Sequence, residues 1–410
     1  MDKKRVLFIS PAFANGGVVC KYDKRYIDAW RDLCDFTIAT KRIRNKSDLS
    51  RFELIECADF FSYEIQILQG RYFNGYEPIV PDGNRLTIKP FLLRLCRKYL
   101  QSHKVHVIHT VSFPCSSHLI GYELKKEFRV PWIAHFYDPW VDNPLRNIPN
   151  SKRQFDAEME SLVAHDADVI IHSNSVIRDC WVERYGDIVK DKIHIVPFGY
   201  SSEQVKDFMP FNGRLPQSDK VIMSYIGTCA GDRNFQSLIK AVDYLYNRYP
   251  ECQDKLEIRL LGNLLDCDKD LIESKKLGHI MKYIGRKTQD ELPKYYQESD
   301  VFIVIDSPQK RNVFFPSKLV DYFFYQRPIL GISPKLGVTN EFLTASGNSC
   351  FENNDIEGIA GYLQTAISNF PLLLSFDKNY YQNFLPDSIN NKYKQILNYI
   401  FQASNIPLNI

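Results

Sequence analysis

VIDSPQKRNVFFPSKLVDYFFYQRPILGISP, residues 304–334, reads as the end of a buried strand, a polar basic loop, a short helix and a second strand. The first strand, Val301–Ile305, is continuously apolar, as strands covered on both faces are. Pro316 and Ser317 are helix-start residues. Lys318, Asp321, Tyr322 and Tyr325 then recur at i, i+3, i+4 and i+7 and share one helix face, with Leu319 and Phe323 to one side. Pro328 leads directly into the next strand, Ile329–Ile332. Strand, helix and strand in this order are the building unit of a parallel α/β sheet.

The same alternation runs outward in both directions. After residue 220 it predicts a strand in VIMSYIG (from Val221), strands at Leu256–Leu261 and Met281–Ile284, and helices at Phe235–Tyr249, Gln289–Glu298, Lys318–Gln326 and Ile356–Phe370. Before residue 200 it predicts strands at Val6–Ser10, Phe36–Thr40, Val105–Thr110, Trp132–Phe136, Val169–His172 and Ile193–Pro197. Helical patterns lie near Phe91–Ser102, Ser117–Phe128, Ser151–Asp166 and Ser175–Tyr185. Gly70 to Asn84 lacks periodicity and reads as an irregular excursion. The rhythm stops in YSSEQVKDFMPFNGRLPQSDK, from Tyr200, which places a linker there. The expected organisation is therefore two Rossmann-like parallel-sheet domains, 1–200 and 220–385, joined by a linker at 201–219. A tail, 386–410, carries a last helix near Ser388–Phe401 that is placed to cross back onto the first domain. Ligands of open parallel sheets bind outside the carboxyl ends of the strands, so two facing sheets are expected to form a cleft with two half-sites.

Composition agrees with such a chain. Its 410 residues are too many for one ordinary core, and 44% hydrophobic with 25% charged residues is globular usage. A net charge of +3 lacks the basic excess of a general nucleic-acid binder. Ten cysteines without a CxxC pair or Cys/His ligand spacing read as free thiols in a reducing compartment. MDKKRVLFIS has too short an apolar run for a signal peptide, and no stretch approaches a membrane span, so a cytoplasmic location is expected. Basic stretches at Lys41–Lys46 and Arg94–Lys98 are placed for peripheral contact with an anionic membrane, although such runs are more often solvated faces.

Four segments carry residue types suited to chemistry. ISPAFANGGVVCKY (9–22) puts Gly16 and Gly17 between a strand and a helix, where backbone N–H groups can meet an anion; it lacks GxGxxG and the Walker pattern. VPWIAHFYDPWVDNP (130–144) ends a strand at His135 and Phe136 and spills Asp138 into a loop, so both His135 and Asp138 are placed for a hydroxyl or a developing charge. The bland alternative is a packed histidine and a turn-capping aspartate. YIGTCAGDRNFQSLIKAV (225–242) ends a glycine-bracketed loop at Arg233, whose planar fork suits a pyrophosphate. In the opening segment, Lys318 sits at a helix start with its positive dipole end, and Asp321 one turn on can accept from ribose hydroxyls. The competing reading is a solvated Lys–Asp pair on a structural helix. Gly285 and Arg286 lie in a loop suited to holding a nucleobase against backbone.

In order, these segments resemble the retaining glycosyltransferases of family 4, the group 1 glycosyltransferases. The resemblance covers nearly the whole chain and sharpens after Val221. YIG…R…LIKAV resembles the phosphate loop, YIGRKTQDELPKYYQESDVFI the segment with E-L-x-x-x-Y-x-x-A-D-V, and FPSKLVDYFFYQRPIL the P-x-K-x-x-E-Y-x-x-x-x-K-P-I-L segment. FYDPWVDNP is similar to the F-R-D-P-W loop of related bacterial polysaccharide enzymes. The resemblance implies GT-B architecture, a nucleotide-diphosphate sugar donor on the second domain, an acceptor on the first, retention at the anomeric carbon, and neither metal nor cofactor. By match, Arg233 and Lys318 would contact the diphosphate, with Gly16 and Gly17 approaching it from the other domain. Asp321 would take the ribose position and the backbone at Gly285 and Arg286 the base. Many members carry two glutamates eight residues apart; here Asp321 replaces the second and Val313 stands at the first, leaving Asp306 or Asn312 as substitutes toward the donor sugar. The setting the resemblance implies is bacterial capsule or lipopolysaccharide synthesis on a glycan or lipid-linked acceptor. The competing readings are an inactive GT-B-like scaffold, a sugar-nucleotide 2-epimerase and a phosphorylase; the last two lack recognisable motifs here.

Overall fold

A computed structural model describes residues 3–15, 18–42, 52–58, 89–112, 114–144, 148, 150–206, 219–229, 232–288, 290–370 and 375–403. The chain divides into two compact units, Met1–Lys206 with Phe384–Ile410, and Asp207–Asn383.

The first unit is built on a parallel sheet of seven strands. They are β1 (Lys4–Ile9), β2 (Cys34–Lys41), β3 (Glu53–Cys57), β4 (Val107–Val111), β5 (Trp132–Phe136), β6 (Val169–His172) and β7 (Ile193–Ile195). Their order is β3-β2-β1-β4-β5-β6-β7, so the winding reverses between β1 and β4. Strands β4, β5 and β6 are buried at every residue, which is why they read as apolar runs rather than alternating ones. Helix Val18–Trp30 buries Tyr26, Ile27 and Trp30. The last helix, Pro386–Ala403, packs in this unit: Tyr393 stacks on Trp30 with centroids 3.9 Å apart, and Trp30 Nε1 donates to Ile389 O at 3.4 Å. Tyr200 N donates to Phe384 O at 2.9 Å and fixes the start of that return.

The second unit carries β8 (Val221–Thr228), β9 (Leu256–Asn263), β10 (Met281–Gly285), β11 (Val301–Ile305), β13 (Ile329–Ile332) and β15 (Ser349–Phe351), ordered β10-β9-β8-β11-β13-β15 and parallel throughout. A two-residue ribbon pairs β12 (Arg311–Asn312) with β14 (Leu336–Gly337). The winding reverses between β8 and β11. Helix Ile356–Asn369 begins where Asp355 accepts from Gly358 N at 2.9 Å; any Cβ at Gly358 would meet that carboxylate at 2.4 Å.

The structure adds elements that periodicity did not signal. The helices Asp266–Ser274 and Val338–Ala345 are short, and β3 and β15 are edge strands with one neighbour each, half-exposed, so neither shows the continuous apolar run of a central strand. The stretch expected as linker opens with a five-residue helix, Ser202–Lys206, and 207–218 lie outside the described residues. The expected excursion at Gly70 to Asn84, most of the basic run Lys41–Lys46, and Gly16 and Gly17 also lie outside them.

Candidate functional site

In the second unit, polar residues gather where the winding reverses, at the carboxyl ends of β8 and β11. This is the crevice where open α/β sheets bind ligands. Helix Lys318–Phe324 is seated there by Tyr322, whose hydroxyl accepts from Ile226 N at 3.0 Å and donates to Ile303 O at 3.1 Å, tying the helix to both strands. Leu319, Val320 and Phe323 are buried with it. The first residue of this helix, Lys318, therefore has a fixed position over β8. Its ammonium lies 3.6 Å from the Tyr225 ring centroid. Gly227 makes the room, since a Cβ there would come within 2.7 Å of Lys318 Nζ, and its φ of +151° disfavours any side chain. Its register partner Gly262 is as constrained: at φ +116°, a Cβ would lie 1.9 Å from Gly227 O.

Arg233 follows in the β8 loop, with Nη2 3.8 Å from Oδ1 of Asp306, the first residue past β11. Asp306 Oδ2 accepts from Ser333 Oγ at 2.8 Å. Asn312 spends its Oδ1 on Phe314 N at 3.1 Å. What remains is telling: Lys318 Nζ, Arg233 Nε, Asp306 Oδ1 and Asn312 Nδ2 are all buried with no hydrogen-bond partner. A buried polar atom left unpaired costs roughly 1–3 kcal/mol, and more when charged. Burial, then the neighbouring Arg233 charge, push the Lys318 ammonium down to about 7. Two cations side by side without a carboxylate in hydrogen-bond reach are arranged for an anion.

The remaining sequence-predicted residues lie on the same sheet edge. Asp321 is partly exposed on the helix. Gly285, at φ +79°, ends β10, and exposed Arg286 donates to Asn263 Oδ1 at 2.6 Å beside the end of β9. Val313, at the position of the first family acid, is buried.

In the first unit, His135 is fully enclosed between the sheet and helix Val18–Trp30. Its Nδ1 lies 3.4 Å from His109 Nε2, its Nε2 has no hydrogen-bond partner, and Tyr26 and Tyr137 meet it edge-on. Burial, and then the other buried histidines, hold it well below the usual imidazole range, so it is neutral. Asp138 starts the loop after β5; burial pushes its carboxyl up to about 6. The sequence reading missed Asp23, fully buried, whose carboxylate accepts from Ser10 Oγ at 2.5 Å and from the Tyr137 hydroxyl. In CKYDKRY it looks like a solvated helix residue, and only its spacing from buried Tyr26 and Ile27 hinted otherwise. Among the described residues, no group of three or more His, Cys, Asp or Glu is arranged to hold a metal ion, and no helix is long and apolar enough to cross a membrane.

Two wound parallel sheets in one chain, with an anion-seeking crevice at the reversal point of the second, have the architecture of a GT-B glycosyltransferase. Comparison with known proteins is specific. Residues 76–199 match the glycosyl transferase 4-like domain and residues 206–383 the glycosyl transferases group 1 domain. The chain belongs to these glycosyltransferases. The alpha-monoglucosyldiacylglycerol synthase of Acholeplasma laidlawii is 24% identical over 238 residues, 54% of this chain and 57% of that protein, so the match spans less than two thirds of that relative's length. Among solved structures, Anabaena HepE in complex with UDP is 13% identical, with a TM-score of 0.65, covering 96% of this chain and 99% of that one. Sucrose-phosphate synthase from Thermosynechococcus elongatus is 14% identical, with a TM-score of 0.66, covering 98% and 100%. At these identities the structural likeness is one of fold.

Proposed function

We propose that the second unit binds a nucleoside-diphosphate sugar and that the protein transfers the sugar, with retention, to a hydroxyl of a glycan or lipid-linked acceptor held by the first unit, in bacterial surface-polysaccharide or glycolipid synthesis. The observation that carries this reading is Lys318 and Arg233, whose Nζ and Nε atoms are buried with no hydrogen-bond partner. A diphosphate supplies the missing acceptors and the counter-charge together. Asp321 then takes the ribose hydroxyls, the backbone at Gly285 and Arg286 the base, and Asp306 and Asn312 the sugar hydroxyls. The lipid-linked option draws support from the Acholeplasma relative, named for making a glucosylated diacylglycerol.

In the reaction, the acceptor oxygen bonds to the anomeric carbon as the bond from that carbon to the diphosphate oxygen breaks. The acceptor proton passes to the leaving diphosphate. Negative charge grows on the diphosphate, and Lys318 and Arg233 are already in place for it, which is preorganised electrostatic stabilisation. Asp138 orients the acceptor hydroxyl, and neutral His135 backs the loop that carries it. The test is a thermal-shift screen against UDP, GDP, CDP, TDP and their sugar conjugates, with and without EDTA. One nucleotide should raise apparent stability by about 2.7 kcal/mol at a hundredfold excess over its Kd, unaffected by EDTA. If none does at millimolar concentration, the donor reading fails and the scaffold reading takes its place.

Helix Lys89–Ser102 supports peripheral contact at the inner face of the plasma membrane. Phe91, 48% exposed, and the exposed Arg94 and Lys98 follow one another at i, i+3 and i+7 on its surface. Basic residues at an anionic surface contribute about 1 kcal/mol each. The protein should therefore sediment with phosphatidylglycerol vesicles but not with phosphatidylcholine ones, and Arg94→Glu with Lys98→Glu should release it. Equal sedimentation of wild type and variant would remove this surface from consideration.

A further inference from the structure

The first residue past each of four neighbouring strands of the first unit forms one buried polar collar. These residues are Ser10 after β1, Ser112 after β4, Tyr137 after β5 and Ser173 after β6, and all three serines are fully buried. Their hydrogen bonds converge on Tyr137. Its backbone N–H donates to Ser112 Oγ at 3.3 Å, and its carbonyl accepts from Ser173 Oγ at 3.0 Å. Its hydroxyl donates to Asp23, which also receives the Ser10 hydroxyl at 2.5 Å. Ser112 and Ser173 fix only the backbone of Tyr137, whereas Asp23 fixes its side chain and links it to the turn after β1.

Asp23 is a costly residue to place there. It is fully buried, and the nearest guanidinium in sequence, that of Arg25, is turned away to Gly199 O at 3.0 Å and Gln204 Oε1 at 2.6 Å. Burial outweighs the two hydroxyls and pushes the carboxyl up to about 7. An asparagine or a hydrophobic residue would fill the same space without that penalty. The side chain it grips precedes Asp138 directly, and the far end of the loop is clamped separately. There Val141 N donates to Glu160 at 3.0 Å, and Arg184 Nη1 holds Glu160 at 2.8 Å. Asp138 thus sits between two anchors, and Asp23 controls the nearer one.

We infer that Asp23 is a positioning residue which, through the Tyr137 hydroxyl, sets the geometry of the Tyr137–Trp140 loop and with it the rate of sugar transfer. The rate part rests on the proposed function; the loop part does not. Two readouts keep them apart. In hydrogen exchange read by mass spectrometry, Asp23→Asn and Tyr137→Phe should each speed exchange across residues 137–143 at least tenfold while peptides of the second unit keep their rates. In the transfer assay, each should lower kcat at least tenfold with the donor KM unchanged within twofold. The double variant should be no slower than the slower single, because both act through one bond. Unchanged exchange in 137–143, or losses in kcat that multiply in the double variant, would overturn the inference. If Asp23→Asn fails to fold, Tyr137→Phe carries both readouts. Asp138→Asn separates the two proposals: full activity there defeats the role given to Asp138 in transfer, and leaves exchange in 137–143 to decide on Asp23.

Discussion

Deleting residues 384–410 is expected to leave the first unit unable to hold its fold. Phe384, Ile389, Tyr393, Ile396, Leu397, Ile400 and Phe401 are all buried, although they follow the second unit in sequence. Burying side chains of this size contributes about 1.5–3 kcal/mol each, and whole domains are stable by only about 5–15 kcal/mol. The loss of seven such side chains, roughly 10–21 kcal/mol together, is therefore as large as the whole reserve of a domain or larger. It also uncovers Trp30, leaving it neither Tyr393 to stack on nor the Ile389 carbonyl to donate to. The fragment 1–383 should be insoluble or melt without a cooperative transition of the first unit in calorimetry. A fragment melting like the full chain would show that the last helix is an ornament. Tyr393→Phe, which removes only the hydroxyl 3.1 Å from His109 Nδ1, should cost about 1 kcal/mol and keep the fold.

Replacing Lys318 is expected to weaken nucleotide binding roughly ten- to a hundredfold while leaving the empty protein at least as stable. The two effects have opposite signs because the ammonium is buried without a hydrogen bond. In the empty protein it is a desolvated charge without a hydrogen bond, held by the Tyr225 face and the more distant Asp306 carboxylate, so Lys318→Met should raise the Tm or leave it unchanged. In the complex it makes a charge-assisted bond worth about 1.5–3 kcal/mol, so Lys318→Met should weaken the nucleotide roughly ten- to a hundredfold in titration calorimetry. A variant that binds normally would place the donor elsewhere.

The same residue predicts how binding depends on pH. With the free ammonium pushed down to about 7 and a diphosphate favouring its charged form, binding takes up a proton. Affinity should be full below pH 7 and fall as pH rises above it, by at most about tenfold per unit, and Lys318→Met should flatten this dependence. Stability of the empty protein runs the other way. A folded value below the ordinary 10.5 means the unfolded chain binds more protons between pH 7 and 10.5, so this group's contribution to stability rises with pH across that window.

Much of this was legible in the residues. Strands β5, β6, β11 and β13 lie where apolar runs placed them, because a strand buried on both faces needs no information beyond its own composition. Edge strands β3 and β15 were not legible, since a strand with one neighbour and a wet flank is permitted ordinary polar residues. At the crevice of the second unit, residue type and position past a strand pointed to Arg233 and Lys318, because a βαβ unit brings such positions to one sheet edge whatever the details of packing, whereas Asp306 and Asn312 entered only through the family resemblance.

The succession of strands and helices, and the edge on which chemistry gathers, were thus determined by local periodicity and by the geometry of parallel crossovers. Which polar groups lose their water was decided by tertiary structure alone. Lys318 becomes a buried, unpaired cation only because Tyr225 and Gly227, distant in sequence, form the wall and the space around it. Asp23, flanked by Lys24 and Arg25 in sequence, becomes a buried carboxyl only because β1 and β5 bring Ser10 and Tyr137 to it. Desolvation depends on everything within a few ångströms, and in a wound sheet most of that comes from other strands.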